Sequence, residues 1–250
     1  MTIAVAYKWA ANPQDASVGA DGVVDWSRAK AAVSEYDPVA VQVGRDLADA
    51  LGVELVGVSV GTSEVAGSMA KKAAMSRGFD RGVLVAEDEV AAWNATRVAQ
   101  ALAGLVSRTG GVDLVLAGDA SIDENAKIVP ALVAGYLGWP CFEDVMAVEG
   151  GGGSWAITQE VPGGTRVIEV SGPVVAAVSA DAAKARVPGM KDILAAGKKP
   201  VEVVAAADLG LADIAVEVAG RSKPESRARG GRIVSDAAEL VAALRADGIL

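Results

Sequence analysis

The residues best suited to bind a ligand follow a short apolar run near the middle of the chain. The run at 114–116 (Leu-Val-Leu) is typical of a buried parallel strand, and Gly118 stands where the backbone is expected to turn. Ser121 or Asp123 can then cap a helix that continues to Gly138. The first amides of a helix bind anions such as phosphate. The pattern therefore predicts an anion site between strand and helix, with an ordinary connecting loop as the alternative.

The composition excludes several classes of chemistry. The chain has no histidine, which removes Ser-His-Asp and Cys-His relays, imidazole metal ligands and the commonest general base near neutral pH. Cys141 is the single cysteine, so no intramolecular disulfide or cysteine metal site can form. The net charge of -9, with scattered Lys and Arg, argues against nucleic-acid binding and favours a basic protein partner. The P-loop of ATP-using enzymes is also missing.

Apolar runs alternate with amphipathic segments over the first 140 residues, which predicts an α/β fold with one dominant core and a mostly parallel sheet. The hydrophobic fraction of 52% comes mostly from Ala and Val, with 4% aromatic residues, and this favours helices packed on a sheet. Met69 and Met75 are expected in the core. Strands are predicted at 3–6, 54–61, 80–86 and 113–118, and helices at 34–52, 65–78 and 93–106.

The pattern changes after Pro140. Alternating residues joined by glycine turns predict an antiparallel ribbon at about 143–172, followed by a buried strand at 173–178. Residues 180–200 are irregular, residues 205–232 are expected to form an extended arm, and 236–247 a terminal amphipathic helix. We therefore expect one domain over 1–220 and an arm with a helix over 221–250. Because neither a signal peptide nor an apolar stretch of about 20 residues is found, we expect a cytoplasmic protein without membrane insertion.

Several motifs, each weak by itself, occur in an order and spacing that resemble the beta subunit of electron transfer flavoprotein, the family that includes the FixA proteins. The resemblance covers nearly the entire chain. Its motifs are Val5-Ala6-Tyr7-Lys8, Val56-Gly-Val-Ser-Val-Gly61, Ala73-Ala-Met-Ser-Arg-Gly-Phe-Asp-Arg81, Asp113-Leu-Val-Leu-Ala-Gly118, Tyr136-Leu-Gly-Trp-Pro140, Lys199-Pro200, Ala207-Asp-Leu-Gly210 and the final helix.

The resemblance implies a Rossmann-like fold of the adenine-nucleotide alpha hydrolase type and a heterodimer with an alpha subunit. The alpha subunit carries redox-active FAD, and the beta subunit of many members holds AMP or, in bifurcating members, a second FAD. The protein would then be an electron carrier and not an enzyme in its own right, since the flavin supplies the redox chemistry. Its partners would be the alpha subunit and flavin dehydrogenases of the acyl-CoA dehydrogenase type, or other electron donors.

The resemblance also places the nucleotide across the carboxyl ends of the strands. Those segments converge on one sheet edge, which is a physical argument for the same location. The residues implied to bind the cofactor are Ala6, Tyr7, Ser34, Glu35, Tyr36, Asp37, Val60, Gly61, Gly118, Ala120, Ser121, Ile122, Asp123, Asn125, Ala126, Lys127 and Val129.

The chain departs from the family at the phosphate position. Family members usually have a Thr-Gly pair there, whereas this chain has Val129 and Pro130. Valine offers no hydrogen bond and proline has no amide donor. The sequence therefore predicts the location of the pocket and leaves open whether it holds AMP, FAD or neither.

The family's recognition loop, which contacts partner dehydrogenases through a projecting apolar side chain, aligns with residues 183–200. Met190 takes the position usually held by leucine, and Arg186, Gly189 and Ile193 complete the implied partner surface. A flexible thioether suits an adaptable contact. In the alternative interpretation, Met190 packs against this subunit's own surface.

Two other hypotheses compete with the electron-carrier subunit. A stand-alone nucleotide-binding regulatory protein of the universal-stress type has a similar sheet, but it needs no ribbon, recognition loop or arm. An ATP-using enzyme is disfavoured by the missing P-loop.

Residues 222–231 have too few apolar side chains to fold back on the core, so they are expected to wrap around a second chain. The sequence names neither the dehydrogenase nor the electron donor, and it does not decide whether bifurcation occurs.

Overall fold

The computed structural model describes residues 1–213, 216, 219–220, 225 and 231–250. The strands are β1 (Thr2–Ala6), β2 (Trp9–Ala11), β3 (Ser17–Val18), β4 (Val24–Asp25), β5 (Ala31–Val33), β6 (Glu54–Gly61), β7 (Arg81–Ala86), β8 (Val112–Gly118), β9 (Cys141–Gly151), β10 (Ser154–Val161), β11 (Gly164–Ser171), β12 (Val174–Val178) and β13 (Val201–Val203). The α-helices are α1 (Asp37–Leu51), α2 (Ser68–Met75), α3 (Ala95–Thr109), α4 (Val129–Leu137), α5 (Met190–Ala196) and α6 (Ala237–Ala246).

One nine-stranded sheet dominates the molecule, in the order β11-β10-β9-β12-β8-β1-β6-β7-β13. Along the sheet, the neighbouring strands from β9 through β12, β8, β1, β6 and β7 to β13 are parallel. At the other end, β10 pairs antiparallel with both β9 and β11. Two small antiparallel sheets join β2 with β5 and β3 with β4. The predicted α/β class is confirmed. The predicted ribbon is also present as β9 to β11, and it extends the main sheet.

The core lies on both faces of this sheet because successive strand residues point to opposite sides. Ile3 and Val5 pack on the face covered by α1 and α2, whereas Ala4 packs on the face covered by α3 and α4. Gly44 lets α1 lie close to the sheet, since a Cβ there would stand 2.9 Å from the Leu55 side chain. The Ala- and Val-rich composition thus serves close helix-on-sheet packing.

The helix expected after β8 begins later than predicted. Ser121 and Asp123 do not cap it; the helix α4 starts at Val129, and residues 121–128 form a loop. Asn125 and Lys127 in this loop have left-handed backbone conformations, with φ of 48° and 54°, which a helix cannot contain. The prediction of a helix start at 121–123 is therefore wrong.

Three further expectations are corrected by the structure. Met69 is not a core residue, since it is 77% exposed near the start of α2, while Met75 at the end of that helix is fully buried. The irregular stretch 180–200 contains the helix α5. No strand is predicted at 201–203, yet these residues form β13, which pairs parallel with β7 at the edge of the sheet.

The C-terminal helix is confirmed as α6, capped by Asp236, whose side chain accepts from the Glu239 amide at 2.8 Å. Residues 214–215, 217–218, 221–224 and 226–230 of the predicted arm at 205–232 lie outside the described residues. None of the helices in the described ranges has the length and apolar character needed to cross a bilayer.

Candidate functional site

A cavity of about 310 Å³ lies at the carboxyl ends of β1, β6 and β8. From β1 the chain runs to β6 and β7 on one side of the sheet and then returns to β8 on the other side of β1. This reversal of strand order is the topological switch point of an open parallel sheet, where such folds bind ligands. Topology and shape therefore identify the same edge as the candidate binding site.

The inner part of the cavity is apolar. Its floor consists of small residues at the strand ends, among them Ala6, Val60 and Ala117. One wall comes from the turn after β7 and the start of α3, with Val90 and Trp93 lining it. Such a surface suits the planar, uncharged part of a ligand.

Asp37 also lines the cavity, and it is buried at the first turn of α1. Its Oδ2 accepts a hydrogen bond of 2.7 Å from the backbone amide of Lys8, just after β1. Burial raises the pKa of Asp37 to about 7, against the hydrogen bond from Lys8 and the positive charges of Lys8 and Arg77. Burial, with Asp37 nearby, also raises the pKa of Tyr7 above its usual value. The Asp37 carboxyl at the back of the site therefore changes its protonation near neutral pH.

Gly118 is required by close packing and not by a turn. A Cβ at this position would lie 2.8 Å from Asp37 Oδ1, 2.8 Å from Tyr36 Cβ and 2.9 Å from the Tyr36 carbonyl carbon. The backbone of β8 and the start of α1 therefore touch at this point. Gly118 positions Asp37 at the edge of the cavity.

The mouth of the cavity carries two lysines, and each is paired with a carboxylate. Lys8 Nζ lies 2.9 Å from Asp123 Oδ1 and 2.7 Å from Oδ2. Lys127 Nζ lies 2.7 Å from Asp119 Oδ2. Burial acts to raise the pKa of Asp123, but the hydrogen bond and charge of Lys8 outweigh it and hold that pKa below its ordinary value. Glu124 lines the same mouth, so acidic groups outnumber basic ones there.

Several amides of the loop before α4 are already engaged. The Ile122 amide donates to Ser34 Oγ at 3.1 Å, the Glu124 amide to Asp123 Oδ1 at 3.0 Å and the Asn125 amide to the Ser121 carbonyl at 2.9 Å. Pro130 occupies the second position of α4 and has no amide hydrogen. The anion site expected at a helix start near Asp123 is therefore not formed.

The structure brings most of the predicted cofactor residues to this cavity and leaves others outside its lining. Those that line it are Ala6, Tyr7, Asp37, Val60, Gly61, Gly118, Ala120, Ser121, Asp123, Ala126, Lys127 and Val129. Those that do not are Ser34, Glu35, Tyr36, Ile122 and Asn125. Ser34 is buried and holds the loop through its bond to the Ile122 amide, so it acts from behind the lining.

Sequence reasoning missed one wall and part of the mouth. The wall residues Val90 and Trp93 follow β7, whose carboxyl end lies at the same sheet edge, so the rule that located the floor also reaches them. Asp119 directly follows β8 and Lys8 lies two residues after β1, which is the same signal. Trp93 also lies against Arg97, whose guanidinium carbon is 4.9 Å from the centre of its ring.

The family model of the electron transfer flavoprotein domain matches residues 21–209 of this chain, which is most of its length. The chain belongs to the electron transfer flavoprotein family. In this family member, the matched region contains β6 to β8, the loop before α4 and the segment around α5.

The predicted partner residues lie together on the surface of this family member. Met190 begins α5 and is 72% exposed, so it does not pack into its own subunit. Arg186 Nη2 lies 2.6 Å from Asp192 Oδ2, which also accepts from the Gly189 amide at 3.0 Å. Ile193, one turn along the helix, is partly buried. These contacts hold α5 so that Met190 projects outward.

Proposed function

We propose that this chain is the beta-type subunit of a heterodimeric electron transfer flavoprotein, which passes electrons between flavin dehydrogenases and a downstream acceptor. The observation that carries the proposal is the family match over residues 21–209. FAD, bound chiefly by an alpha subunit, supplies the redox chemistry. This chain contributes the scaffold, the surface for the dehydrogenase and a small-molecule cavity.

Exposed apolar side chains support the proposal that the chain works in an assembly. Val187, Met190 and Leu194 form one group on and before α5. Ile249 and Leu250 form another after α6. Exposed groups of apolar residues on a soluble domain mark surfaces that other proteins cover. We assign the first group to a flavin dehydrogenase and the second to the alpha subunit.

The cavity fits only part of the nucleotides that the family implies. Its apolar floor and wall fit a planar base. Its mouth offers a phosphate few donors, because both lysines are paired with carboxylates at 2.7 Å, the Val129 side chain forms no hydrogen bond and Pro130 has no amide hydrogen. The cavity of about 310 Å³ is near the lower limit of roughly 300 Å³ for ligand pockets.

Co-expression of the chain with its genomic neighbour tests the proposal. We expect a heterodimer whose absorption spectrum contains one flavin and which accepts electrons from an acyl-CoA dehydrogenase or another reduced carrier. The chain by itself should accept none. Electron acceptance by the single chain, or failure to form any flavin-containing complex, would contradict the proposal, and a monomer that responds to a nucleotide would favour the regulatory alternative.

A further inference from the structure

The strand β11 forms one edge of the main sheet and pairs with β10 alone among the described residues. Its eight residues pair with β10 in one unbroken register, and the sequence Thr-Arg-Val-Ile-Glu-Val at 165–170 has high β propensity and no proline. A long, regular edge presents open backbone donors and acceptors, and proteins normally cover or shorten such an edge. The opposite edge, β13, has only three residues. Of the two edges, β11 is the one that needs a cover.

The two faces of the antiparallel ribbon β9 to β11 differ in what covers them. Trp155 and Ile157 of β10 are fully buried on the inner face, against the core. The residues that alternate with them point to the outward face. The helices α1 and α4 pack on β9, whereas the main contacts of β10 and β11 are with strands. The outward face carries small or β-branched residues, namely Ala147, Ala156, Thr158, Thr165 and Val167, and the last is 64% exposed.

The outward face is acidic. Three exposed glutamates border it: Glu149, Glu160 and Glu169. The first and the last are the two neighbours of Ala156 in the strand register, so they lie in one row across the ribbon. Arg166 is the single Lys or Arg at 141–171, and its Nε donates to Oε1 of the buried Gln159 on the inner face at 3.1 Å. No basic residue of the ribbon therefore balances the three carboxylates on the outward face.

These charges decide which occupant fits the edge. Twofold pairing of two β11 strands from copies of this chain would bring both acidic faces to the same side of the joined sheet, where like charges repel. A strand with Lys or Arg is attracted instead. A permanently bound chain also suits the edge better than a transient one, because an edge left open between encounters is prone to aggregation. The second subunit of the heterodimer meets both conditions.

We propose that an extended, basic segment of the second subunit pairs with the open edge of β11 and turns lysine or arginine side chains towards Glu149, Glu160 and Glu169. Main-chain hydrogen bonds supply affinity, and the charges select the partner and fix its register. The inference rests on the proposed function, because it takes the second subunit of that heterodimer as the occupant. It gives the ribbon a role separate from that of α5, which is assigned to the dehydrogenase.

Hydrogen exchange of the full chain, alone and in the complex co-expressed with its genomic neighbour, tests the pairing. Alternate amides of β11 point to the open edge, so they should exchange rapidly in the isolated chain. In the complex they should exchange about tenfold more slowly or better, because they become hydrogen-bonded. Unchanged exchange in the complex overturns the inference. Protection already present in the isolated chain would assign the cover to this chain or to a second copy of it, and that result also overturns the inference.

Charge reversal tests the acidic face. In the double variant Glu149→Lys with Glu169→Lys, a basic segment meets cations, so the affinity for the second subunit should fall about tenfold or more at low salt. High salt should narrow the difference from wild type. Competition of tagged wild-type and variant chains for a limiting amount of second subunit measures the ratio of affinities.

Glu64→Lys is the matched control for this competition. Glu64 is exposed on the turn after β6, which lies far along the sheet from β11, so its reversal should change the affinity by no more than about twofold. The melting temperature of each variant chain checks that it folds, and the exchange measurement uses wild type alone. Equal incorporation of the folded double variant and wild type overturns the inference.

Failure of this inference can be distinguished from failure of the proposed function. A flavin-containing complex in which β11 stays unprotected overturns the inference and leaves the subunit assignment intact, because that assignment depends on the flavin and on electron acceptance. A complex that protects β11 but contains no flavin and accepts no electrons has the opposite meaning.

Discussion

The Asp37 carboxylate accepts a hydrogen bond of 2.7 Å from the Lys8 amide, which ties the first turn of α1 to the end of β1. Its other oxygen lies 2.8 Å from the position that a Cβ at residue 118 would take. One buried acid therefore connects the strand β1, the strand β8 and the helix α1 at the edge of the cavity. Both the burial of this acid and its contact with Gly118 can be tested by substitution.

The stability of the protein should fall with rising pH because of Asp37. Its folded pKa of about 7 lies above the ordinary 3.8, so the folded state binds the proton more tightly than the unfolded state does. The stability from this proton is fully present below about pH 4 and is lost as pH rises to about 7. The difference between about 7 and 3.8 corresponds to at most about 4 kcal/mol. Asp37→Asn, which stays uncharged, should therefore gain stability relative to the wild type between pH 4 and pH 7.

Urea denaturation at several pH values measures this difference. Asp46→Asn is the control, because Asp46 lies exposed on the same helix and its carboxylate accepts a hydrogen bond from Gln42. The groups that face Asp37 are Tyr7, Lys8, Arg77 and Asp123, and none of them is altered by the substitution. If the free energies of unfolding of Asp37→Asn and wild type differed by a constant amount between pH 4 and pH 7, Asp37 would be ionised in the folded protein throughout this range.

A methyl group at residue 118 should destabilise the fold. In Gly118→Ala the new Cβ would lie within 2.9 Å of two atoms of Tyr36 and of the Asp37 carboxylate, so α1 must move. We expect a loss of about 1 to 3 kcal/mol, typical of overpacking. Gly135→Ala is the control: a Cβ on this helical glycine would meet nothing within 4 Å, and the variant should gain up to about 1 kcal/mol from helix propensity. Equal stability of the two variants in chemical denaturation would contradict the close contact.

The strands and the cavity floor were predictable because their signals are local. Apolar runs such as that at 114–116 define buried strands, and the ends of parallel strands share one edge of the sheet. The start of α4 was not predictable in this way. Asp123 has the type and position of a helix cap, but its carboxylate is used by Lys8, which lies 115 residues away in sequence. A long-range ion pair thus outweighs the local capping preference.

The segment before β13 shows the same limit. The helix α5 has only seven residues, too short to be stable by its own propensity, and it contacts α2. Ala196 at its end is fully buried, and Lys199 is bonded to backbone carbonyls at and after the end of α2. These contacts join residues about 120 positions apart, so no local pattern in 180–200 announces the helix.

Met190 should contribute to partner binding and little to folding. The side chain is 72% exposed at the start of α5, so Met190→Ala should leave the melting temperature nearly unchanged. Under the proposed function, the same variant should slow electron transfer from the dehydrogenase to the heterodimer. Met75→Ala is the control, because Met75 is fully buried and its truncation should cost about 2 to 5 kcal/mol. Thermal unfolding and electron-transfer rate measured on each variant separate a role in partner binding from a role in folding. A normal transfer rate in Met190→Ala would refute the role of Met190 in partner binding.

Lys199 should fix the position of α5, the helix that carries Met190. Its ammonium donates to the Met75 carbonyl at 3.0 Å and to the Phe79 carbonyl, where α2 ends and β7 approaches. Burial lowers the pKa of Lys199, against the nearby negative charge of Asp80. Lys199→Met keeps much of the apolar stem but leaves both carbonyls without this donor, which should cost about 1 to 3 kcal/mol. Hydrogen exchange should then accelerate in α5 more than in α1. Lys198→Met, the exposed neighbour, should change neither stability nor exchange, and equal effects of the two variants would show that the Lys199 contact does not hold the segment.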